Sequence, residues 1–314
     1  MMCGTNLMYI VHMIDSKKDF CEILVTSNCQ TTGIANSLKY LVGDEKVSIA
    51  SEWNLEHSVE SFAEKNGGIF KTLSFWVTSY SDLEIKKVLE IVKSNSKMEV
   101  IKIPQIYFDA YHPDLTYIIG KSGIVESPLV HYHSKIIFGC FLNRINIGSV
   151  KGYFKKDIYK KLGYLNYWDE SIKRMKTDFI QSDLDYYDFV NKVDMNRVFM
   201  HSVNHPATGV LAAIASLVCK KIGFKQKYDS QALSYILKDE IFEYGPVWPI
   251  YPDIANNFGQ SGTFLFRAQG GKTYELDEFI QLEYEIFENL RKDELNEPNF
   301  YFSPDFLSKL KGLK

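Results

Sequence analysis

Residues 22–40, EILVTSNCQTTGIANSLKY, constrain this chain more than any other stretch, because their character changes at a single cysteine. Ile23, Leu24 and Val25 form a short apolar, largely β-branched run that reads as a buried strand. From Thr32 onward Ile34, Ala35, Leu38 and Leu41 recur at helical spacing. Ser27, Asn28, Cys29 and Gln30 fall in the turn between. Such a turn stands at the carboxyl end of a strand and the amino end of a helix, where open α/β sheets place their ligands. The free N–H groups and positive end of the helix would lower a cysteine pKa and stabilise a developing oxyanion. Cys29 is therefore the leading candidate for the reactive atom. Asn28 and Gln30, two amides costly to bury without a partner, are candidates for oxyanion or substrate binding. The plainer reading of Cys29 is a small buried hydrophobe.

Strand and helix signals then alternate. KVSIA (46–50) reads as a second strand, 55–65 as a weak helix and LSFWVT (73–78) as a third strand. Ser81-Asp82-Leu83-Glu84 is a capping box that opens a helix with Val88, Leu89 and Val92 on its inner face, and EVIKI (99–103) is a fourth strand ending at Pro104. Residues 136–141 are a strand or a buried helix, between which periodicity does not decide. Helices follow at 155–162, 168–179 and 186–193, then an apolar helix with Pro206 at its first position and His205 at its amino terminus. A late strand or extended segment at 262–266 precedes an amphipathic helix at 276–290. The expected class is α/β, with a parallel sheet and flanking helices in the N-terminal half and a mostly helical C-terminal half. No long linker divides the chain, so residues 21–295 are expected to form one domain, with an α/β part at 21–145 and a helix-rich part at 146–295. Residues 1–20 are set apart as an extension and 296–314 as a tail.

Acids and bases nearly balance, for a formal net charge of -3, and no basic stripe appears, which argues against a nucleic-acid partner. The five cysteines, Cys3, Cys21, Cys29, Cys140 and Cys219, are an odd set without a CxxC pair, which fits reduced thiols in a cytoplasmic protein. The apolar stretch 8–13 is too short to span a bilayer, so no transmembrane segment is expected; MIDSKKDF from Met13 reads as an alternative start.

Cys29 and His205, each expected where a helix begins, form the pair best suited to chemistry, because a helix start favours neutral imidazole. Asn204, beside that histidine, joins the substrate-binding candidates. His112, with Asp114 two residues on as an orienting carboxylate, is the rival base; its plainer reading is a loop histidine bonded to backbone. His131, His133 and His201 complete no HExxH or carboxylate-completed set, so no metal is expected. Gly270-Gly271-Lys272-Thr273 imitates the end of a phosphate loop, yet Phe266 stands where the first glycine belongs. Lys135, Arg267 and Lys272 remain candidates for holding a nucleotide phosphate, and solvated surface cations are the ordinary reading of each.

SNCQ (27–30), YFDAYHPDL (107–115), YHSK (132–135), VNHP (203–206) and GPVWPIYP (245–252) together make the chain resemble the WcbI-type polysaccharide biosynthesis family. The likeness runs from about residue 21 to residue 290. It implies an acetyltransferase of capsular polysaccharide assembly that uses CoA or acetyl-CoA, moves an acyl group to a sugar hydroxyl, and has the SNCQ turn and the two His-Pro motifs near its site. Peripheral association with an assembly complex would be compatible with it. A more distant resemblance is to SGNH hydrolases, with Asn28-Cys29 in place of Asp-Ser and residues 202–206 in place of DxxHP. Ser202 then stands where the orienting aspartate belongs, and Asp114 is the substitute considered. This second likeness implies an esterase or deacetylase of carbohydrate O-acyl groups. A non-catalytic sugar- or nucleotide-binding component is the reading in which Cys29 merely packs.

Overall fold

The computed structural model describes residues 22–50, 59–92, 94, 97–120, 123–239, 245–290 and 305–312. The extension 1–20, Cys3, Cys21 and the start of the expected 55–65 helix lie outside the described residues.

Four short strands, β1 (Ile23–Thr26), β2 (Val47–Ile49), β3 (Phe75–Thr78) and β4 (Glu99–Lys102), form one sheet in the order β2-β1-β3-β4. All its pairings are parallel, with Thr26 opposite Thr78 where β1 and β3 end. β1 is buried on both faces, as an apolar run in a parallel sheet requires. Ile23 and Val25 join the core beneath helices α1 (Thr31–Val42) and α9 (Thr208–Lys221). Leu24 joins Trp76 on the other face, under α2 (Val59–Asn66) and α3 (Asp82–Val92). The box that starts α3 forms as its spacing predicts, with Ser81 N–H donating to Glu84 Oε2 at 2.7 Å. Because β2 and β3 lie on opposite sides of β1, the strand order reverses at β1, and the turn after it opens onto a crevice.

The carboxyl half is mostly helical. It carries α4 (Lys135–Leu142), α5 (Ile147–Val150), α6 (Lys156–Leu162), α7 (Tyr167–Ile180), α8 (Tyr186–Val190), α9 and α10 (Ser230–Ile236), followed by helices Pro252–Asn256, Leu276–Asn289 and Phe306–Lys311. Residues 136–141 therefore resolve as helix. Ser134 Oγ caps it by accepting from Ile137 N–H, and its apolar side chains fill a second core. Phe306–Lys311, in the stretch set apart as a tail, packs on α4 at Gly139, where a Cβ would stand 2.7 Å from Leu310. Of the extended segment expected at 262–266, only Phe266 is in a strand, paired as Phe266–Arg267 with Thr273–Tyr274. Tyr167, Ile250 and Phe258 pack against both cores, so the α/β and helical parts are continuous. α1 and α9 approach closely at Gly33, where a Cβ would collide with the Leu211 side chain. That contact sets the loop before α9 against the turn before α1.

Candidate active site

The turn after β1 is held first by the sheet. Thr26 Oγ1 donates to Thr78 Oγ1 at 2.8 Å while accepting from Trp76 Nε1, and the Ser27 and Ser79 hydroxyls meet at 2.8 Å across the crevice. The turn then closes on itself. Asn28 Oδ1 accepts from Gln30 N–H at 3.0 Å, and Asn28 O accepts from Thr31 N–H and Oγ1. Gln30 corrects the expectation of a substrate-binding amide. It is buried, its Nε2 donates to Ile106 O at 2.8 Å and Asn204 O at 3.1 Å, and its Oε1 accepts from Ile106 N–H. Its amide is a stitch that ties three distant segments together. Asn28 keeps Nδ2 without a partner among the described residues.

Cys29 is partly exposed, with Sγ 3.7 Å from Asn204 O and 3.8 Å from Asn204 Nδ2. Burial pushes its pKa up to about 12, against a smaller lowering by a backbone hydrogen bond. The expectation of a thiol acidified by a helix start is therefore reversed: desolvation wins, and Cys29 stays protonated at neutral pH.

His205 lies three residues before α9 rather than in its first turn. Pro206 bridges to Met200 in extended form, His201 N–H donates to His205 O at 2.8 Å, and Asp239 Oδ2 accepts from the helix's first N–H, Thr208, at 3.2 Å. The imidazole is fixed by hydroxyls and not by a carboxylate. Nδ1 is 2.9 Å from Tyr132 Oη and 3.0 Å from Ser202 Oγ, and those oxygens are 3.1 and 3.2 Å from Asn204 Oδ1. Asn204 Oδ1 only accepts, so in the tautomer that suits it both hydroxyls donate to it and the single Nδ1–H is shared between their two oxygens, which lie 3.1 Å apart. That assignment leaves Nε2 with a free lone pair and turns Asn204 Nδ2 toward Cys29. Burial lowers the His205 pKa to about 4, reinforced by His201 and opposed by Asp239, so the ring is neutral at pH 7. The thiol and imidazole share no hydrogen bond; Asn204 links them.

The rival pair separates. His112 is 2% exposed, burial drives its pKa to about 3, and its Nδ1 has no partner among the described residues. Asp114 does not orient it, nor does it orient His205. Its carboxylate accepts from Ser134 Oγ, Ile136 N–H, Tyr164 Oη and Tyr251 Oη, which fills its four lone-pair sites deep in the second core. His133 bonds Glu283 and Val125 O, and His201 bonds Asp239. Among the described residues no three His, Cys, Asp or Glu side chains could hold a metal ion.

A cleft of ≈ 590 Å³ adjoins this cluster, lined among others by Tyr107, Tyr117, Tyr167, Lys135, Arg174 and Val203. Tyr117 stands 5.5 Å from the Tyr132 ring, and Val203 lies between Ser202 and Asn204. Of the three expected phosphate ligands only Lys135 lines it. Arg267 donates to Gly245 O, Lys272 lies over the Tyr274 ring, and neither borders the cleft. Sequence reasoning gave no role to Tyr132, although YHSK carried it, nor to Arg174, whose guanidinium pairs with Asp109 at 3.0 Å. A tyrosine flanked by two histidines was the signal for the first; nothing in α7 marked the second.

Fold and site define an α/β protein whose thiol and imidazole meet, through an asparagine, at the switch point of a parallel sheet. The chain belongs to the family of the polysaccharide biosynthesis enzyme WcbI, whose model matches residues 22–227. Among solved structures it is similar to one described as native WcbI, a polysaccharide biosynthesis enzyme, without a disulfide bond between CoA and one of its cysteines. The TM-score is 0.64 at 13% identity, over 94% of this chain and 96% of that one, a likeness of fold. No curated protein matches the chain significantly. Among the described residues no helix is long and apolar enough to cross a membrane.

Proposed function

We propose that the chain is a CoA-dependent O-acetyltransferase acting on a sugar hydroxyl in surface polysaccharide assembly, with His205 as general base. The observation that carries this reading is the neutral imidazole pinned at Nδ1 by Tyr132 and Ser202, which leaves Nε2 as a proton acceptor beside the Cys29 turn. His205 Nε2 takes the proton of the sugar hydroxyl as its oxygen attacks the thioester carbonyl, and gives that proton to the departing sulfur as the C–S bond breaks. Asn28 Nδ2 is the donor left for the developing oxyanion, since the Gln30 and Thr31 N–H groups are taken within the turn. Cys29, protonated and touched by no base, assists as a thiol donor rather than as an acyl acceptor. We set the sulfur end of CoA at this turn because the WcbI structure of similar fold is described as free of a disulfide between CoA and one of its cysteines, a description that pairs the two, and Cys29 is the one partly exposed cysteine among the described residues. A reaction that consumes acetyl-CoA, with unpaired cysteines, belongs in a reducing cytoplasm.

Calorimetry with CoA and acetyl-CoA is the test, with micromolar binding expected. Absence of binding, together with turnover of aryl acetates, would replace the transferase by an esterase. Rapid quenching with acetyl-CoA alone should show no acetyl adduct on Cys29, and an adduct formed at the turnover rate would establish the covalent route instead.

A further inference from the structure

The cleft beside the reacting groups contains a cation that the acyl-transfer chemistry leaves unused. Lys135 opens α4 with its ammonium largely buried, donates to Pro113 O at 2.7 Å and lies 5.7 Å from the Tyr167 ring centroid. Among the described residues it forms no ion pair, so two of its three donors have no protein partner. Its burial lowers its pKa, with Asp114 and Asp109 opposing, which marks an ammonium held at a real desolvation cost. Glu170, on α7, is exposed at the edge of the same cleft and makes no hydrogen bond or ion pair among the described residues. Arg174, one turn on, is already matched by Asp109 and lies 5.1 Å over the Tyr107 ring.

The four charges of the cleft sum to zero. A nucleotide cofactor carrying a pyrophosphate calls for a surplus of cations, which the cleft does not offer. Aromatic faces alternating with both donors and acceptors suit a ring that is apolar on its faces and hydroxylated at its edge. We propose that this cleft is the acceptor subsite and takes a neutral pyranose ring, its faces against Tyr107, Tyr117 and Tyr167 and its hydroxyls between Lys135 and Glu170. The ring's role as acyl acceptor rests on the transferase reading; its binding here does not. Tyr117, against Tyr132, brings the occupant to the imidazole.

The experiment titrates the full chain with the methyl pyranosides of glucose, galactose and mannose, and with methyl glucuronoside, by saturation-transfer NMR. CoA is titrated in parallel by calorimetry, and both are repeated on Glu170→Gln and Tyr117→Ala. At least one neutral glycoside should bind, at least fivefold tighter than the glucuronoside. Its affinity should fall at least fivefold in each variant while the Kd for CoA stays within twofold. Glu170 is exposed, so its variant folds, and a lost signal there reports the subsite. The proposal is overturned by no transfer to any neutral glycoside, by preference for the glucuronoside, or by a fivefold loss of CoA affinity in Glu170→Gln. Glycoside binding without CoA binding would sink the transferase and leave the subsite standing.

Discussion

Asp114 and His205 are both polar groups held by hydroxyls deep in the chain, and they differ in how completely they are held. Four donors converge on the Asp114 carboxylate, from Ser134, Ile136, Tyr164 and Tyr251, so nothing is left for a substrate. Among the described residues His205 is fastened at one nitrogen only, by Tyr132 and Ser202, and its other nitrogen has no partner. A saturated buried group secures a fold, whereas a half-saturated one costs stability and retains chemistry.

Substitutions can break this contrast in order of expected size. His205→Gln should lower acetyl transfer about 10²- to 10⁴-fold with little change in the unfolding midpoint, followed as CoA release with a thiol dye. A stability loss without a rate loss would place His205 in the closed class. Cys29, with its pKa near 12, should react with iodoacetamide roughly a hundredfold more slowly at pH 7.5 than a free cysteine. Labelling at the free-cysteine rate would show an ionised thiol. Asp114→Ala should cost about 3 kcal/mol in urea unfolding, since it strands three hydroxyls and an N–H. Tyr132→Phe should cost about tenfold in turnover, close to one hydrogen bond, and little in stability.

The smallest effect concerns pH. The folded His205 pKa, lowered to about 4, lies below the ordinary value of 6.5, so the unfolded chain takes up the proton first. Stability should therefore decline as pH falls from 6.5 toward 4. The acidic limb of kcat/KM, which needs neutral imidazole, should lie near pH 4; a limb near 6.5 would mean that the ring is solvated.

The strand, turn and helix around Cys29 were legible because an apolar run followed by helical spacing is local information. The capping box at Ser81 and the helix at Leu276–Asn289 were legible on the same ground. Asp114 was misassigned because proximity to His112 along the chain says nothing about Tyr164 and Tyr251, which arrive from later segments. The direction of the Cys29 shift was missed for a related reason. A helix start is visible in sequence, but the burial that outweighs it arises only in the fold, where distant Asn204 lies against the sulfur. Pro206 misled because its bridge to Met200 delays α9 by two residues.

The Gln30 amide has a consequence for any attempt to transplant this chemistry. One side chain grips backbone atoms of Ile106 and Asn204, so the cysteine, the exit from the sheet and the histidine's neighbour shift together or not at all. A borrowed SNCQ loop in a foreign scaffold would arrive without its geometry unless the recipient supplied both of those anchoring chains.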